Sequence, residues 1–207
     1  MRHLILAALL LTAPALAQQA PPPPVDAQAV TPAPVNPPMT GPKILIATSM
    51  GDITLQLDSA RAPKSVANIL RYVREKHFDG TAFYRVAHGF VIQMGSFDAG
   101  GKGRGIHPGP MAFEGDNGLR NLRGTVAMAR GESLDSATAE FFINLADNPG
   151  LDRDAADPAS GYAVFGQVAA GMEVVDAIGA VPTGDNGPMP GQAPVTPIVV
   201  KKVTLLK

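Results

Sequence analysis

The sequence contains no cysteine, and this absence excludes several kinds of chemistry. Without a thiol the chain can form no disulfide, no thiolate nucleophile, no thiolate metal site and no lipid anchor on an N-terminal cysteine. In an oxidising compartment, a hydrophobic core alone must then hold the fold together. The chain has 207 residues, of which 45% are hydrophobic, so it is long enough to bury such a core in one domain.

An excess of charge of either sign is also lacking. Lys and Arg total 17 and Asp and Glu total 18, which gives a formal net charge of −1 at pH 7. Nucleic-acid-binding grooves and polybasic membrane surfaces need a strong positive excess. The composition therefore disfavours a nucleic-acid partner and a function at an acidic lipid surface.

The chain lacks an apolar run long enough to cross a bilayer, which takes roughly 20 residues. The run of residues 4–11 is shorter, follows Arg2, and precedes the small residues Ala15 and Ala17. A positive start, a short apolar run and a small-x-small site are typical of a secretory signal peptide. We therefore predict that residues 1–17 are a signal peptide cleaved after Ala17, with no stable membrane insertion of the mature chain.

Residues 18–42 are rich in proline and alanine and carry almost no bulky apolar side chain. Such a segment cannot bury a core and is expected to be an extended, disordered linker. Recognition by a proline-binding groove is the alternative interpretation of the same composition. We predict a plain spacer here and a single domain over residues 43–207.

The domain begins with a pattern typical of strands. Residues 43–48 and 53–57 alternate apolar and polar side chains around a short turn, which predicts a hairpin with one buried face. A helix is predicted from Pro63, because proline suits the first helical position. Its apolar stripe consists of Val66, Ile69, Leu70 and Val73.

The rest of the domain consists mostly of short apolar segments separated by glycine turns. A second helix is predicted over residues 172–178, with Val174, Val175 and Ile178 on its inner face. Many short strands and two helices indicate an antiparallel barrel with helical plugs at its ends. The remaining predicted strands are 81–86, 90–95, 124–129, 140–144, 163–168 and 198–206.

Residues 83–95 place polar side chains among bulky apolar ones in two neighbouring strands. Because alternate strand residues share a face, Phe83 and Arg85 are expected on one face of the first strand. A functional site and a surface arginine at a sheet edge both fit this stretch. The faces of the second strand are expected to carry Val91 and Gln93 on one side and Phe90 and Ile92 on the other.

Four motifs follow one another in the domain. They are FYRVAHGFVIQMGSF at 83–97, SATAEFFIN at 136–144, GYAVFGQVAAGMEVVD at 161–176 and PTGDNGP at 182–188. The first resembles the cyclophilin signature, in which an arginine precedes a phenylalanine by five residues and a glutamine by eight. Together the motifs resemble the bacterial periplasmic branch of that family, and the resemblance covers residues 43–207.

The resemblance implies a mainly β fold, a closed eight-stranded antiparallel β-barrel capped by two α-helices. It implies a periplasmic peptidyl-prolyl cis-trans isomerase that acts on proline-containing unfolded or partly folded polypeptides. We expect a monomer, and the reaction needs no cofactor. Arg85 matches the catalytic arginine, and Gln93 matches the amide that holds the substrate backbone. The other matching positions wall the proline pocket (Phe90, Val91, Phe142 and Leu151), form the edge that pairs with the extended peptide (Ala129 and the Arg130 backbone), or replace a histidine of eukaryotic members (Tyr162).

One position departs from the family pattern. The residue before Leu151 is usually aromatic, Trp or Phe, whereas here it is Gly150, preceded by Pro149. We expect this glycine to remove part of one pocket wall. The range of ligands should then change, while the core chemistry remains in place.

The residue types suit the rotation of an X-Pro bond. The barrier of roughly 18–20 kcal/mol arises because rotation breaks amide resonance. Half-way round, the nitrogen lone pair becomes a hydrogen-bond acceptor, so a fixed cationic donor stabilises the twisted state and not the planar one. Arg85 is the only suitable donor in these motifs, and a guanidinium stays charged at any working pH.

Other candidate sites have weaker support. The glycine-rich residues 98–105 lack the Ser or Thr that follows the lysine of a phosphate loop. Residues 152–157 lack the central glycine and closing glutamate of a calcium loop. His77, His88 and His107 do not show metal-ligand spacing. We therefore predict solvated loops, no metal and no cofactor.

Two rival functions remain open. A catalytically weak, proline-binding holdase chaperone would keep the fold, and Gly150 favours it. A lipocalin-like barrel for small ligands would need a roomy interior, which bulky core residues and helical plugs disfavour. The presence of Arg85, Phe90, Gln93 and Phe142 favours the isomerase, and turnover of X-Pro peptides separates the three.

Overall fold

The computed structural model describes residues 35–105 and 111–207. The order of the helices and strands along the chain follows the predicted hairpin, helix and succession of short strands. The regular elements are β1 (Lys43–Thr48), β2 (Asp52–Leu57), α1 (Pro63–Arg74), β3 (Thr81–Ala87), β4 (Val91–Asp98), β5 (Thr125–Met128), β6 (Phe141–Asn144), β7 (Val164–Ala170), α2 (Met172–Gly179), β8 (Thr183–Gly184), β9 (Ala193–Pro194) and β10 (Val200–Leu205).

The principal sheet has eight antiparallel strands in the order β10-β1-β2-β7-β5-β6-β4-β3. Its two outer strands approach each other through a bridge between Ala82 and Val199 and through hydrogen bonds from Gly80 N to Val200 O and Phe83 N to Ile198 O. The sheet therefore curls into a nearly closed barrel. The predicted eight-stranded barrel with two helices is confirmed, with a bridge rather than a full ladder at the closure.

The barrel interior is filled by the inward residues of the strands. Ile44 and Ile46 on β1 alternate with partly exposed neighbours, as Ile53, Leu55 and Leu57 do on β2, and all are fully buried. The alternation that predicted the hairpin thus places one face of each strand in the core. An interior packed with such side chains contradicts the roomy interior that a lipocalin-like barrel requires.

The two helices pack against the barrel with the apolar faces that their spacing indicates. In α1, Val66, Ile69 and Val73 are buried, and Leu70 is partly buried against the same core. Tyr72, which the predicted stripe did not include, is fully buried as well. The helix has no side-chain cap of its own. Instead, the carboxylate of Glu114 accepts hydrogen bonds from the N–H groups of residues 64 and 65, which satisfies the free amides of the first turn.

Residues 36–42, assigned to the linker by composition, contact the barrel, and we call them the strap. Asn36 exchanges two hydrogen bonds with the backbone of Arg120, at 2.8 and 2.9 Å. Met39 is 8% exposed and packs in the apolar cluster that includes Leu119 and Phe142. The folded part of the chain therefore starts before Lys43, while the predicted signal peptide and residues 18–34 lie outside the described residues.

Several short elements have no counterpart in the sequence prediction. They are the two-residue strands β8 and β9, which pair with each other, and 3-10 turns at Leu134–Ser136 and Pro149–Leu151. Among the described residues, no helix combines the length and apolar character needed to cross a bilayer.

Candidate functional site

A β-bulge in β3 sets the orientation of Arg85. Phe83 pairs with Met94 on β4, and the next paired residue is Arg85, opposite Gln93, so Tyr84 is an additional residue in β3. Phe83 and Met94 lie in the barrel interior, whereas Tyr84, Arg85 and Gln93 line a pocket on the outer face. The predicted common face for Phe83 and Arg85 is therefore wrong, because strict alternation does not hold across a bulge.

A second apolar cluster lies outside the barrel interior and forms the floor of this pocket. Val91 on β4, Ala127 on β5 and Phe142 on β6 belong to it, on three adjacent strands. Phe90 packs against the same cluster from the turn before β4. It therefore shares a side with Val91 and not with Ile92, which is in the interior, because the strand alternation begins only after the turn.

All the predicted site residues line this one pocket, which has a volume of about 350 Å³. The pocket combines apolar side chains with a few polar ones, as ligand sites in proteins usually do. Tyr84, Glu140 and Met189 also line it and were not predicted. The predicted residues that it brings together are Arg85, Phe90, Val91, Gln93, Ala129, Arg130, Phe142, Leu151 and Tyr162.

A hydrogen-bonded chain of side chains runs along the polar end of the pocket. Arg85 Nη1 donates to Gln93 Oε1 at 3.0 Å, and Gln93 Nε2 donates to Glu140 Oε2 at 2.8 Å. The hydroxyl of Tyr84 accepts a second bond from Gln93 Nε2 and donates to Glu140 Oε2. These contacts use both donors of the Gln93 amide and fix its orientation, so that its oxygen faces the guanidinium.

Tyr84 serves as a neutral donor in this chain. Burial raises the pKa of its hydroxyl far above the usual range, and the adjacent Glu140 carboxylate raises it further, while Arg85 lowers it to a smaller extent. The hydroxyl therefore remains protonated at any working pH. Its hydrogen bond to Glu140 does not change with pH through ionisation of the tyrosine.

One of the missed residues had a signal in the sequence. Glu140 precedes Phe142 by two positions, so a strand places both side chains on one face. Because Phe142 was predicted to line the pocket, this spacing indicates that the Glu140 carboxylate lies beside it. Tyr84 reaches the pocket only through the bulge, and Met189 through an irregular loop. Neither position shows a local pattern that would have revealed it.

Leu151 and Tyr162 line the same pocket as Arg85. Leu151 N–H donates to Asn148 O and Leu151 O accepts from Tyr162 N, both at 2.9 Å, while the Asn121 amide also donates to Leu151 O. The Tyr162 ring packs edge-on against Phe142, with ring centres 5.5 Å apart. These contacts place two apolar side chains beside the pocket floor.

Arg130 borders the pocket with its side chain turned to the protein. Its guanidinium lies 5.0 Å from the Tyr162 ring centre and donates to the carbonyls of Gly161 and Ala159. Ala129 N–H is paired with Glu140 O. No described residue hydrogen-bonds to the backbone N–H or C=O of Arg130, the groups that are predicted to pair with an extended peptide.

Comparison with known proteins identifies the family. Residues 43–205 match the family described as "Cyclophilin type peptidyl-prolyl cis-trans isomerase/CLD". The chain belongs to the cyclophilin family. The family predicted from the four motifs is thereby confirmed.

Bacterial peptidyl-prolyl cis-trans isomerases resemble this chain over most of their length. The "Peptidyl-prolyl cis-trans isomerase A" of Dickeya dadantii is 47% identical over 168 residues, 81% of this chain and 86% of that protein. The "Peptidyl-prolyl cis-trans isomerase B" of Escherichia coli K12 is 42% identical over 159 residues, 76% of this chain and 96% of that protein.

The fold also matches solved cyclophilin structures. A Cryptosporidium parvum cyclophilin crystallised in the presence of the dipeptide Ala-Pro superposes with a TM-score of 0.66 at 23% identity. The match covers 80% of this chain and 99% of that one. At this identity the similarity establishes the cyclophilin fold and nothing beyond it.

The other candidate sites of this cyclophilin have structural roles. Asp98 Oδ1 accepts the N–H groups of Gly100 and Lys102, so the glycine-rich loop closes on its own carboxylate rather than on a phosphate. His77 and His88 hydrogen-bond backbone carbonyls, while His107 lies outside the described residues. Within residues 35–105 and 111–207, no group of His, Asp and Glu could hold a metal ion.

Gly150 is exposed and directly precedes Leu151, which lines the pocket of this cyclophilin. A Cβ atom built there would have no neighbouring atom within 4 Å, and the backbone does not require a glycine. We expect Gly150→Phe to lower KM for an X-Pro peptide about 2- to 10-fold, because an added aromatic contact contributes roughly 0.5–1.5 kcal/mol. Steady-state kinetics measure this.

Gly150→Ala is the matched control, since it changes the backbone preference without adding a ring. It should leave KM close to that of the wild type. An unchanged KM in Gly150→Phe, or an equal change of KM in Gly150→Ala, would show that the absence of an aromatic ring at position 150 does not weaken substrate binding.

Proposed function

We propose that this protein accelerates cis-trans isomerisation of X-Pro bonds in exported proteins, with Arg85 as the catalytic donor. The observation that carries the proposal is the position of the Arg85 guanidinium at the polar end of an apolar pocket lined by Phe90 and Phe142. Family membership and the isomerase names of the bacterial relatives support the same reaction.

The Arg85 guanidinium is oriented but keeps donors for a substrate. Nη1 donates to Gln93 and Nε to Gln192, whereas no described residue accepts a hydrogen bond from Nη2. When the X-Pro bond twists, the prolyl nitrogen loses amide resonance and becomes an acceptor. A preoriented cation then stabilises the twisted state more than the planar state, which lowers the rotation barrier.

The apolar side chains hold the proline ring while the preceding carbonyl rotates. Phe142 is 4% exposed and forms the floor, with Phe90 and Leu151 at the sides. Burying one such ring contributes about 1.5–3 kcal/mol of binding free energy. This binding fixes one end of the rotating bond and requires no cofactor.

Gln93 has a narrower role in this proposal than the sequence indicated. Both of its amide hydrogens are donated within the protein, to Tyr84 and Glu140. Only its oxygen, which already accepts from Arg85, has a lone pair left for a substrate N–H. Gln93 therefore acts on the substrate as an acceptor and also orients Arg85.

Substrates in this proposal are unfolded or partly folded polypeptides in the periplasm, bound by a monomer. The predicted signal peptide, residues 1–17, supports this location. Expression of the full chain in a Gram-negative host, followed by fractionation and N-terminal sequencing, tests it. A mature periplasmic protein beginning at Gln18 is expected, and a cytoplasmic protein with Met1 or Arg2 intact would exclude it.

Turnover on an Ala-Pro peptide tests the function directly. In a protease-coupled assay, the isomerisation rate should rise linearly with enzyme concentration. The second candidate, a weak proline-binding holdase, is favoured by the absence of an aromatic side chain at Gly150. It predicts suppressed aggregation of an unfolded protein with no acceleration of the peptide, and that pair of results would replace the isomerase proposal.

A further inference from the structure

We propose that Gln192 is a positioning residue for the reaction, because its side-chain amide fixes the guanidinium of Arg85. The inference rests on the isomerase function proposed above and adds a residue outside the motif that carries Arg85. The two residues are 107 positions apart in the chain. Gln192 is not among the pocket residues and acts only through Arg85.

Arg85 is held by two amide oxygens. Its Nε donates to Gln192 Oε1 at 2.6 Å, and its Nη1 donates to Gln93 Oε1 at 3.0 Å. A guanidinium is planar, so acceptors on two of its three nitrogens define both its position and its plane. The N–H groups of the third nitrogen, Nη2, are then held in one orientation relative to the pocket. Gln93 alone would leave the group free to turn about the Nη1 contact.

The backbone of Gln192 is itself fixed against the strand that carries Arg85. Its carbonyl accepts from Val86 N at 2.7 Å, and its N–H donates to Met189 O at 3.0 Å. Gly191 precedes it with φ of +74°, a conformation that favours glycine. Immediately after it, β9 pairs with β8. The amide therefore projects from a braced loop, as a positioning group requires.

The contact is suited to catalysis rather than to loop folding alone. The backbone bonds to Val86 and Met189 tie the loop to β3 without the side chain of Gln192. The side chain adds one charge-assisted bond, directed at the one cation that the proposed mechanism uses. The same loop contributes Met189 to the pocket lining, so it borders the site on the Arg85 side.

The predicted effect is on turnover more than on binding. Gln192→Asn shortens the side chain by one methylene and removes the amide oxygen from Arg85 while keeping its polarity. We expect kcat for an Ala-Pro peptide to fall about 3- to 10-fold, with KM changed less than twofold, because orientation of Arg85 matters in the twisted state. Gln192→Glu keeps both the reach and the acceptor, and should retain at least half of the wild-type kcat.

Gln167→Asn is the matched control, since Gln167 is a partly buried glutamine on β7 outside the pocket lining. A direct readout is the NMR resonance of the Arg85 Nε–H. It should exchange slowly with water in the wild type and in Gln192→Glu, and rapidly in Gln192→Asn. A purely structural role for Gln192 would lower the melting temperature without this selective change.

The outcomes separate the two proposals. An active wild type with an unchanged kcat and an unchanged Arg85 resonance in Gln192→Asn would overturn the role of Gln192 alone. Equal losses of kcat in Gln192→Asn and Gln192→Glu would overturn it as well. A folded wild type without turnover would overturn the isomerase function, and the positioning role with it.

Discussion

Arg85→Ala is expected to lower kcat/KM for an X-Pro peptide at least about 100-fold while the protein remains folded. Loss of one preoriented transition-state donor typically has an effect of this size. The remaining groups of the hydrogen-bonded chain are an amide, a phenol and a carboxylate, and none of them brings a cation to the prolyl nitrogen. A coupled isomerisation assay and circular dichroism measure the two properties.

Two variants sharpen this prediction. Arg85→Lys keeps the charge but offers a point donor instead of a planar fork, so it should recover only a minor part of the activity. Arg123→Ala removes an arginine outside the pocket that is paired with Asp176, and should leave turnover unchanged. A folded Arg85→Ala protein with near-normal turnover would refute the mechanism.

Removing the strap is expected to cause the second large effect. A chain that begins at Lys43 loses Met39 from the apolar cluster and the hydrogen bonds of Asn36 to Arg120. Deleting a buried methionine side chain costs about 2–5 kcal/mol of unfolding free energy. The melting temperature should fall on the order of 5–15 °C, given roughly 2–4 °C per kcal/mol for a domain of this size.

A chain that begins at Val35 is the control, because it keeps every contact of the strap that the structure describes. It should match the mature protein in both melting temperature and turnover on short peptides. Met39→Ala in the full chain isolates the buried side chain and should reproduce much of the loss. If chains starting at Val35 and Lys43 melted at the same temperature, the strap would make no contribution to stability.

The sequence predicted the barrel well where a local pattern and the fold agree. The alternation in β1 and β2 and the stripe in α1 each follow from one buried face, which is a local property. Met39 was missed because the composition of residues 18–42 averages over one buried side chain. Its burial depends on an apolar cluster formed by strands distant in the chain.

The site was predicted from motifs, and its geometry was not. The residues of the pocket were named by resemblance, and the structure places them together, while their individual roles stay predictions. The bulge at Tyr84 reverses the face on which Arg85 lies, and no alternation rule anticipates it. Gln192 meets Arg85 only because the β8–β9 loop folds back on β3, a long-range event without a local signal.

The filled barrel interior has a consequence for the size of clients. Because the pocket lies on the outer face of the barrel, a polypeptide can bind along the surface. It does not have to enter the barrel, and none of its ends has to pass through an opening. In the proposed function, a proline in the middle of a long polypeptide then reaches Arg85 as a proline in a tetrapeptide does, provided that a few residues on either side are extended. Access to the pocket then does not depend on the length of the client. It depends on local unfolding around the proline.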